Sequence, residues 1–487
     1  MIFKFTLVGL FVAITYYLSF KGMKKTKDLK SFAIGNKDMN PILVGLTMAA
    51  SISSTATFVI NPGFVYTHGL SAYIHYGIAA SLGILTAFIL MTKKFLKQGE
   101  VNGALTLPDW IYHRFGSRAM SLFFAVINLL SITFIVLILL GCSFLLMSLF
   151  DVSQTTGLIL VLLFVFSYVL IGGTYSHAYT NAFQGLMMVF IAMIVFVSGL
   201  KYFDGGFMTS LKSVGENYAM VFNPDSNLYF SFFSVFVSGF IITFALMFQP
   251  HIFTKVLYLK NEGDVNKFIW TTFLSGLVFS LMLFVGFYAR LSGLEGVPQD
   301  KIVAAFITQE FGVEAGTVIA LTMLAAGLST LDGILVAISS MVVRDLYLPF
   351  AKNLEAGEKS ALTLSRYTLV GIGCVSLIIA LYPPKLIGLF AQKGVYGLAA
   401  ASFVPMLFGT LITRKLNAKL VFASSILGLV SHLYLNIFGG IANPAVSATY
   451  GIFLSTGLFF MGMICEKVLK PQKSQEHQLQ KDEKAYS

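Results

Sequence analysis

Stretches of about 20 mainly apolar residues recur along the whole chain, and a helix of that length crosses the hydrocarbon core of a bilayer. Only 11% of the 487 residues are charged, whereas soluble proteins carry about 25%. The stretches do not alternate between apolar and polar residues, as strands of a membrane barrel would. We therefore predict an all-α polytopic membrane protein with thirteen spans, numbered in chain order. They lie near residues 2–20, 42–60, 71–95, 119–149, 156–174, 181–200, 229–249, 267–290, 313–342, 363–382, 385–412, 417–437 and 444–465.

Lys and Arg cluster in the loops after the odd-numbered spans 1, 3, 7, 9 and 11, and again after span 13. Loops rich in Lys and Arg stay on the cytoplasmic side. This predicts an N-terminus outside and a C-terminus in the cytoplasm, in the plasma (inner) membrane of the cell. The net charge of +11 comes largely from these short loops. It therefore indicates the lipid bilayer as a partner and not a nucleic acid.

One apolar stretch, residues 323–347, places several polar side chains inside a predicted helix. Ser329 and Thr330 lie one turn beyond Ala326 on the same face, since positions i, i+3 and i+4 align in a helix. Neutral oxygens gathered around one point suit a small hard cation. The stretch therefore predicts half of a sodium site, and Asp332 is a costly charge that indicates function.

Spans 2 and 7 carry features that interrupt a helix. Residues 49–55 are small and rich in hydroxyls, and Pro250 falls near the end of span 7. Small residues also allow helices to pack closely, so close packing is the alternative explanation for span 2. The two spans are five apart, which is the spacing of the first helices in two inverted five-helix repeats. Broken helices at such positions line the binding sites of carriers.

Four motifs together resemble the sodium:solute symporter family. They are Ala49–Ser53 with NPGFVYTHG, YTNAFQG at 179–185, QPH at 249–251 and AAGLSTLDGILVAISSMVVRDLY at 325–347. The likeness covers about residues 30–465. Within the family, the pantothenate permease branch is the most similar, through LYPPKLIGLF, ITRKLNAK and the Asn-Pro start of the last span.

The resemblance implies a LeuT-like core of two inverted five-helix repeats, spans 2–6 and 7–11. We expect a first span and basic loop at 1–30, the core at 31–412, two peripheral spans at 413–466 and a polar, disordered cytoplasmic tail at 467–487. The resemblance also implies a sodium ion as the coupling ion, held between spans 2 and 9. Its ligands would be the carbonyls of Ala49, Ile52 and Ala326 and the hydroxyls of Ser329 and Thr330. The alternative is that both hydroxyls bond back to carbonyls four residues earlier.

Two positions depart from the family pattern. Asn181 stands where many members carry an aspartate, and Asp332 stands where members with a second sodium site use a small hydroxyl residue. Our hypothesis is that the carboxylate has moved from span 6 to span 9. Asp332 and Asn181 then form a candidate second ion or proton site. The alternative is a supporting role in which Asp332 bonds to Asn181 or to a hydroxyl of span 2.

The solute is expected near the bilayer midplane, beside the break in span 2. No acidic cluster would hold a cationic solute, and N–H groups at helix starts favour anions. We therefore expect a small carboxylate-bearing solute, such as pantothenate or a monocarboxylate. The candidate contact residues are Ser53, Ser54, Thr55, Phe58, Tyr73, His75, Gln184, Phe248, Gln249 and His251.

The sequence thus predicts a sodium-coupled secondary symporter that imports a small organic solute by alternating access and works as a monomer. Motifs such as HExxH, GxSxG, CxxC and the P-loop do not occur, so we expect no enzyme and no primary pump. Three alternatives stay open. They are a proton-coupled carrier on the same fold, a symporter for proline or a sugar, and a transporter-like sensor, although the tail after Cys465 is too short for a kinase.

Overall fold

The computed structural model describes residues 2–102, 104–351 and 354–485, and this part of the chain is helical without strands. Eleven single helices and two bent helix pairs within it are long and apolar enough to cross a membrane. The thirteen predicted spans are thereby confirmed. They run Ile2–Met23, Pro41–Ile52 with Ala56–His68, Leu70–Gln98, Arg118–Phe150, Gln154–Ile171, Gly173–Phe203, Phe233–Leu246 with Pro250–Tyr258, Glu262–Leu291, Val313–Phe350, Ser360–Ala380, Ile387–Leu411, Ala418–Ile437 and Pro444–Val468.

Both predicted breaks are present. The halves of span 2 are bent by 52° and those of span 7 by 64°. Span 2 breaks at Ser53, whose backbone angles (φ −89°, ψ 72°) are not helical. Span 7 breaks at Gln249, which is extended (φ −62°, ψ 142°) because the ring of Pro250 disfavours a helical residue before it. The fold is therefore the expected all-α, LeuT-like arrangement, with broken helices at corresponding positions of the two repeats.

Spans 5 and 6 follow each other with only Gly172 between them. The turn occurs at Gly173, which takes φ 52° and ψ −137°, a backbone conformation that favours glycine. A side chain at this position is also excluded by its neighbour, because a Cβ there would lie 2.4 Å from Cδ2 of Phe32. This turn sets the direction in which span 6 enters the core.

Span 9 lies at the centre of the bundle. In its most apolar window 94% of the residues are buried within the protein, compared with 17% in span 1 and 33% in spans 12 and 13. A polar side chain on span 9 therefore faces other helices and not lipid. Such helices can hydrogen-bond to it, which is why span 9 tolerates Ser329, Thr330 and Asp332.

The last helix continues into the residues predicted as the tail. The last helix starts at Pro444 and runs without interruption to Ala485. The segment after 468 is polar but rich in Lys, Glu and Gln, which are good helix formers, so it extends the helix that precedes it.

Candidate functional site

The break in span 2 leaves carbonyl groups at the end of its first half without the helical donors that a continuous helix would supply. The first half ends at Ile52, and the helix resumes at Ala56. Of the last-turn carbonyls, that of Ala49 still accepts a hydrogen bond from the Ser53 N–H at 2.9 Å. The carbonyls that follow are turned towards other partners.

Span 9 supplies those partners. Ser329 Oγ lies 2.9 Å from the carbonyl oxygen of Ala50 and 2.8 Å from that of Ala326. Thr330 Oγ1 donates to the carbonyl of Ser51 at 3.0 Å. Both hydroxyls are fully buried. They therefore join span 9 to the broken end of span 2. Both also bond back to the Ala326 carbonyl of their own helix, Thr330 at 3.5 Å, so the two arrangements occur together.

The predicted sodium ligands therefore lie on two facing elements, with one difference in detail. The span-2 carbonyls that contact the hydroxyls are those of Ala50 and Ser51, between the predicted Ala49 and Ile52. The oxygens that meet here are all neutral. Carbonyl and hydroxyl oxygens are suitable ligands for a hard cation, so the residues fit a sodium ion.

Asn181 ties a third element to this point. Its Nδ2 donates to the carbonyl of Ser329 at 2.6 Å and to Ser51 Oγ at 3.2 Å. Its Oδ1 is buried and has no hydrogen-bond partner among the described residues. Asn181 thus joins span 6 to spans 2 and 9 and leaves a free acceptor oxygen there.

Asp332 is engaged elsewhere. Its carboxylate accepts hydrogen bonds from His177 Nδ1 at 2.8 Å and from the Tyr168 hydroxyl at 3.1 Å. The alternative that Asp332 bonds to Asn181 or to a hydroxyl of span 2 is therefore wrong. Although Asp332 lies one turn beyond Ser329, its carboxylate contacts spans 5 and 6, where His177 and Tyr168 are closer donors.

A cavity lies beside the break, among spans 2, 3, 4, 7, 8 and 11. Three of the residues predicted to contact solute line it, namely Ser53, His75 and Gln249. Ala49, Ser51 and Ile52 line it as well, so the candidate ion site borders the cavity. None of the lining residues is Asp, Glu, Lys or Arg. The polar ones that sequence reasoning missed are Asn61, Thr57, Tyr76, Ser81, Thr243, Thr272, Ser280, Gln392 and Tyr396.

The other seven predicted contact residues lie outside the lining. Phe58 packs on Phe279, and Phe248 packs among other phenylalanines, so both serve the core. Tyr73 packs on two phenylalanines of span 8, and Thr55 lies beside Cys142. The remaining three, Ser54, Gln184 and His251, are buried in the bundle.

Hydrogen bonds hold the outer part of the cavity wall. The hydroxyl of Tyr76 lies 2.9 Å from Gln392 Nε2 and 2.8 Å from the hydroxyl of Tyr229. His75 Nδ1 lies 3.0 Å from the carbonyl oxygen of Val235, so this nitrogen carries the proton and donates it. A neutral imidazole then keeps Nε2 as an acceptor. The wall therefore offers neutral hydrogen-bonding groups to a solute.

Sequence reasoning missed two residues of chemical importance, His177 and Lys255. Both lie on the side of the bundle that is predicted to face the cytoplasm. His177 lies one turn before Asn181 on the same face of span 6. Lys255 lies in the second half of span 7 and is buried. The predicted bounds had left both residues outside the spans, His177 between spans 5 and 6 and Lys255 in the basic loop after span 7, and the structure corrects this by placing them within spans 6 and 7. An ionisable residue within a span indicates function.

The arrangement of broken helices around a neutral polar cavity, with a cation-type site on one wall, defines a secondary membrane carrier. The chain belongs to the sodium:solute symporter family, whose family model matches residues 32–428. Its relatives in that family are transporters, which agrees with the expectation of a carrier and not an enzyme.

Two relatives illustrate the likeness in sequence. The sodium/pantothenate symporter of Haemophilus influenzae is 25% identical over 455 residues, which are 89% of this chain and 91% of the relative. The high-affinity proline transporter PutP of Bacillus subtilis is 25% identical over 431 residues, 83% and 86% of the two chains.

A solved structure illustrates the likeness in fold. The substrate-bound outward-open state of a Na⁺-coupled sialic acid symporter superposes with a TM-score of 0.77 at 16% identity. The match covers 94% of this chain and 97% of that one. At this identity the likeness concerns the fold alone.

Proposed function

We propose that the protein is a sodium-coupled symporter that imports a small carboxylate-bearing solute and works as a monomer. The proposal is supported by the observation that one structural element contacts both the candidate ion site and the solute cavity. The broken end of span 2 supplies carbonyls to the Ser329 and Thr330 hydroxyls, and it also lines the cavity through Ala49, Ser51 and Ile52. A sodium ion held there orders the wall against which the solute binds, so each ligand favours the binding of the other.

The cavity chemistry supports a carboxylate. The second halves of spans 2 and 7 begin beside the cavity, at Ala56 and Pro250, next to the lining residues Thr57 and Gln249. The helical second half of span 2 starts at the cavity wall, and the N-terminal end of a helix favours a negative group. No lysine or arginine lines it, so the sodium ion and these helix ends supply the positive charge. The pantothenate and proline transporters among its relatives take solutes that carry a carboxylate.

Uptake into proteoliposomes tests the proposal. Purified protein is supplied with labelled pantothenate, proline, a monocarboxylate and a sugar, each with a sodium gradient, a potassium gradient or a pH gradient. We expect the sodium gradient to drive uptake of one carboxylate. Uptake that ignores sodium and follows pH would contradict sodium coupling, and uptake of the sugar alone would contradict the solute class.

Two serine variants localise the sodium effect. Ser329→Ala removes a hydroxyl at the junction of spans 2 and 9, and we expect it to abolish most of the sodium stimulation. Ser376→Ala is the matched control, because Ser376 is buried on span 10 and donates only to the carbonyl of Ile372 within its own helix. Equal sodium stimulation in both variants would remove Ser329 from the ion site.

A further inference from the structure

Lys255 is a buried amine inside the bundle. It lies in the second half of span 7 and is only 1% exposed. Its Nζ donates to the carbonyl oxygen of His251, one turn earlier. Among the described residues it forms no direct ion pair, and the nearest carboxylate along the facing helix is that of Asp332, next to Gly333, whose Cβ position lies 3.4 Å from Lys255 Nζ. A buried charge is costly unless an opposite charge compensates it, so this lysine has Asp332 as its partner in charge.

The absence of a side chain at Gly333 makes room for this lysine. A Cβ at that position would lie 2.8 Å from His177 Cε1, 3.3 Å from His177 Nε2 and 3.4 Å from Lys255 Nζ. The imidazole and the ammonium therefore converge on the bare Cα of the residue next to Asp332. His177 Nε2 has no hydrogen-bond partner among the described residues, although it is buried. Lys255 Nζ and His177 Nε2 thus lie close together beside the backbone that follows Asp332.

The charges around Asp332 sum to zero when Lys255 carries its proton. The carboxylate of the cluster is that of Asp332, which is fully buried and accepts hydrogen bonds from His177 and Tyr168. The other titratable groups that face this cluster are His251, Tyr258 and Cys142, and none of them supplies a negative charge at neutral pH. A further cation beside Asp332 would leave an uncompensated positive charge in a buried site, which is strongly unfavourable.

We propose that Lys255 is a built-in cation that neutralises Asp332 and excludes a second sodium ion from the space beside Asp332 and Gly333. The transported sodium is then the single ion at the Ser329 and Thr330 site, one turn away. This inference rests on the proposed sodium coupling. According to the proposal, the charge of Lys255 determines how many sodium ions accompany each solute.

Replacement of the lysine by methionine tests the inference. Lys255→Met keeps much of the side-chain volume and removes the charge, so Asp332 and His177 Nε2 are left facing a space of cation size. Sodium binding is measured on the purified protein, without solute, from the rise in melting temperature with sodium, with choline as the ionic control. The sodium moved per solute is measured in proteoliposomes, from the sodium gradient that balances a solute gradient at zero membrane potential.

The wild type is expected to bind sodium with a Hill coefficient of about 1 and to move one sodium ion per solute, because a single site is coupled. Lys255→Met is expected to bind a second sodium ion and to double the sodium moved per solute. The double variant Lys255→Met with Asp332→Asn removes the charge pair together, and we expect it to return to a single-ion curve. Lys255→Arg keeps the charge and is expected to retain the single-ion curve as well.

Several results would overturn the inference. Two sodium ions per solute in the wild type would do so without any variant, so the test does not depend on the folding of Lys255→Met. A single-ion curve in Lys255→Met would do so too, as would a second ion that persists in the double variant. Absence of any sodium dependence in the wild type is a different result, because it defeats the proposed sodium coupling itself.

Discussion

Two buried threonines of span 9, Thr330 and Thr322, differ in what their hydroxyls contact. Thr330 Oγ1 reaches the Ser51 carbonyl on another span, whereas Thr322 Oγ1, on the same helix, donates to the Val318 carbonyl of its own helix. Both threonines are fully buried. A comparison of substitutions at Thr330 and Thr322 therefore distinguishes a role at the ion site from a role within the helix.

Thr330→Val is expected to raise the sodium concentration for half-maximal uptake by about five-fold. Valine keeps the shape and loses one oxygen ligand, and an interaction of this kind contributes about 1 kcal/mol. Thr322→Val is the matched control and is expected to leave this concentration unchanged. The measurement is initial uptake as a function of sodium at fixed solute. The same increase in both variants would show that the effect comes from the helix and not from the site.

Gln249 is a second residue whose environment indicates function. It lines the cavity, and its Oε1 is buried without a hydrogen-bond partner among the described residues. An unpaired buried acceptor costs about 1–3 kcal/mol, so it lowers stability unless a ligand engages it. Gln249→Met is therefore expected to keep or raise the melting temperature while it raises the solute concentration for half-maximal uptake by about ten-fold, the loss of one hydrogen bond.

A matched variant and a clear contrary result accompany this prediction. Met247 also lines the cavity but offers no acceptor of this strength, and Met247→Leu is expected to change solute affinity little. A loss of stability in Gln249→Met with unchanged solute affinity would show that the side chain supports the fold.

At the residue scale, sequence reasoning found the groups whose partners lie within one helical turn of them in the sequence. Ser329 and Thr330 were identified because their spacing from Ala326 follows from helix geometry alone. His177 and Lys255 were missed because their importance arises from contacts between spans, and those depend on how helices pack. The choice of Ala50 and Ser51 as contacting carbonyls likewise depends on the rotation of span 2.

At the scale of elements, the breaks in spans 2 and 7 were predictable and their consequences were not. Hydroxyl-rich small residues and Pro250 indicated where the helices stop. The bends of 52° and 64° are set by packing against neighbouring spans. Span 8 is one of these neighbours, since the bare Cα of Gly286 lies against the carbonyl of Pro62 in the second half of span 2.

Gly286→Ala is expected to lower stability by about 1–3 kcal/mol, the usual cost of overpacking. A Cβ at 286 would lie 2.2 Å from the Pro62 carbonyl oxygen and 2.7 Å from the Tyr66 amide nitrogen, and backbone atoms cannot move aside easily. Gly371→Ala on span 10 is the control. A Cβ there meets nothing within 4 Å, so stability should be unchanged or slightly raised. Thermal unfolding in detergent compares the two, and equal melting temperatures would refute the packing argument.

At the scale of the whole molecule, composition decided the class, and the pattern of charges predicts the orientation. The loop between spans 11 and 12 holds Arg414, Lys415 and Lys419, whereas residues 438–443, between spans 12 and 13, carry no charge. With the N-terminus outside, the first loop is cytoplasmic. The second half of span 7 then lies towards the cytoplasm, so Lys255 and Asp332 lie between the cavity and the cytoplasmic exit.

Cysteine labelling in intact cells tests this orientation. Cys142, Cys374 and Cys465 are replaced by alanine, and single cysteines are introduced at the exposed positions Lys415 and Phe438. A membrane-impermeant maleimide is expected to label Phe438→Cys at once and Lys415→Cys only after permeabilisation, because basic loops are retained in the cytoplasm.

Lys24→Cys and Asp204→Cys provide a second pair in the first half of the chain, with Asp204→Cys expected outside. The reverse pattern in both pairs would invert the molecule and place the Lys255 cluster on the outer side of the cavity. Uptake by each variant confirms that the labelled protein is folded.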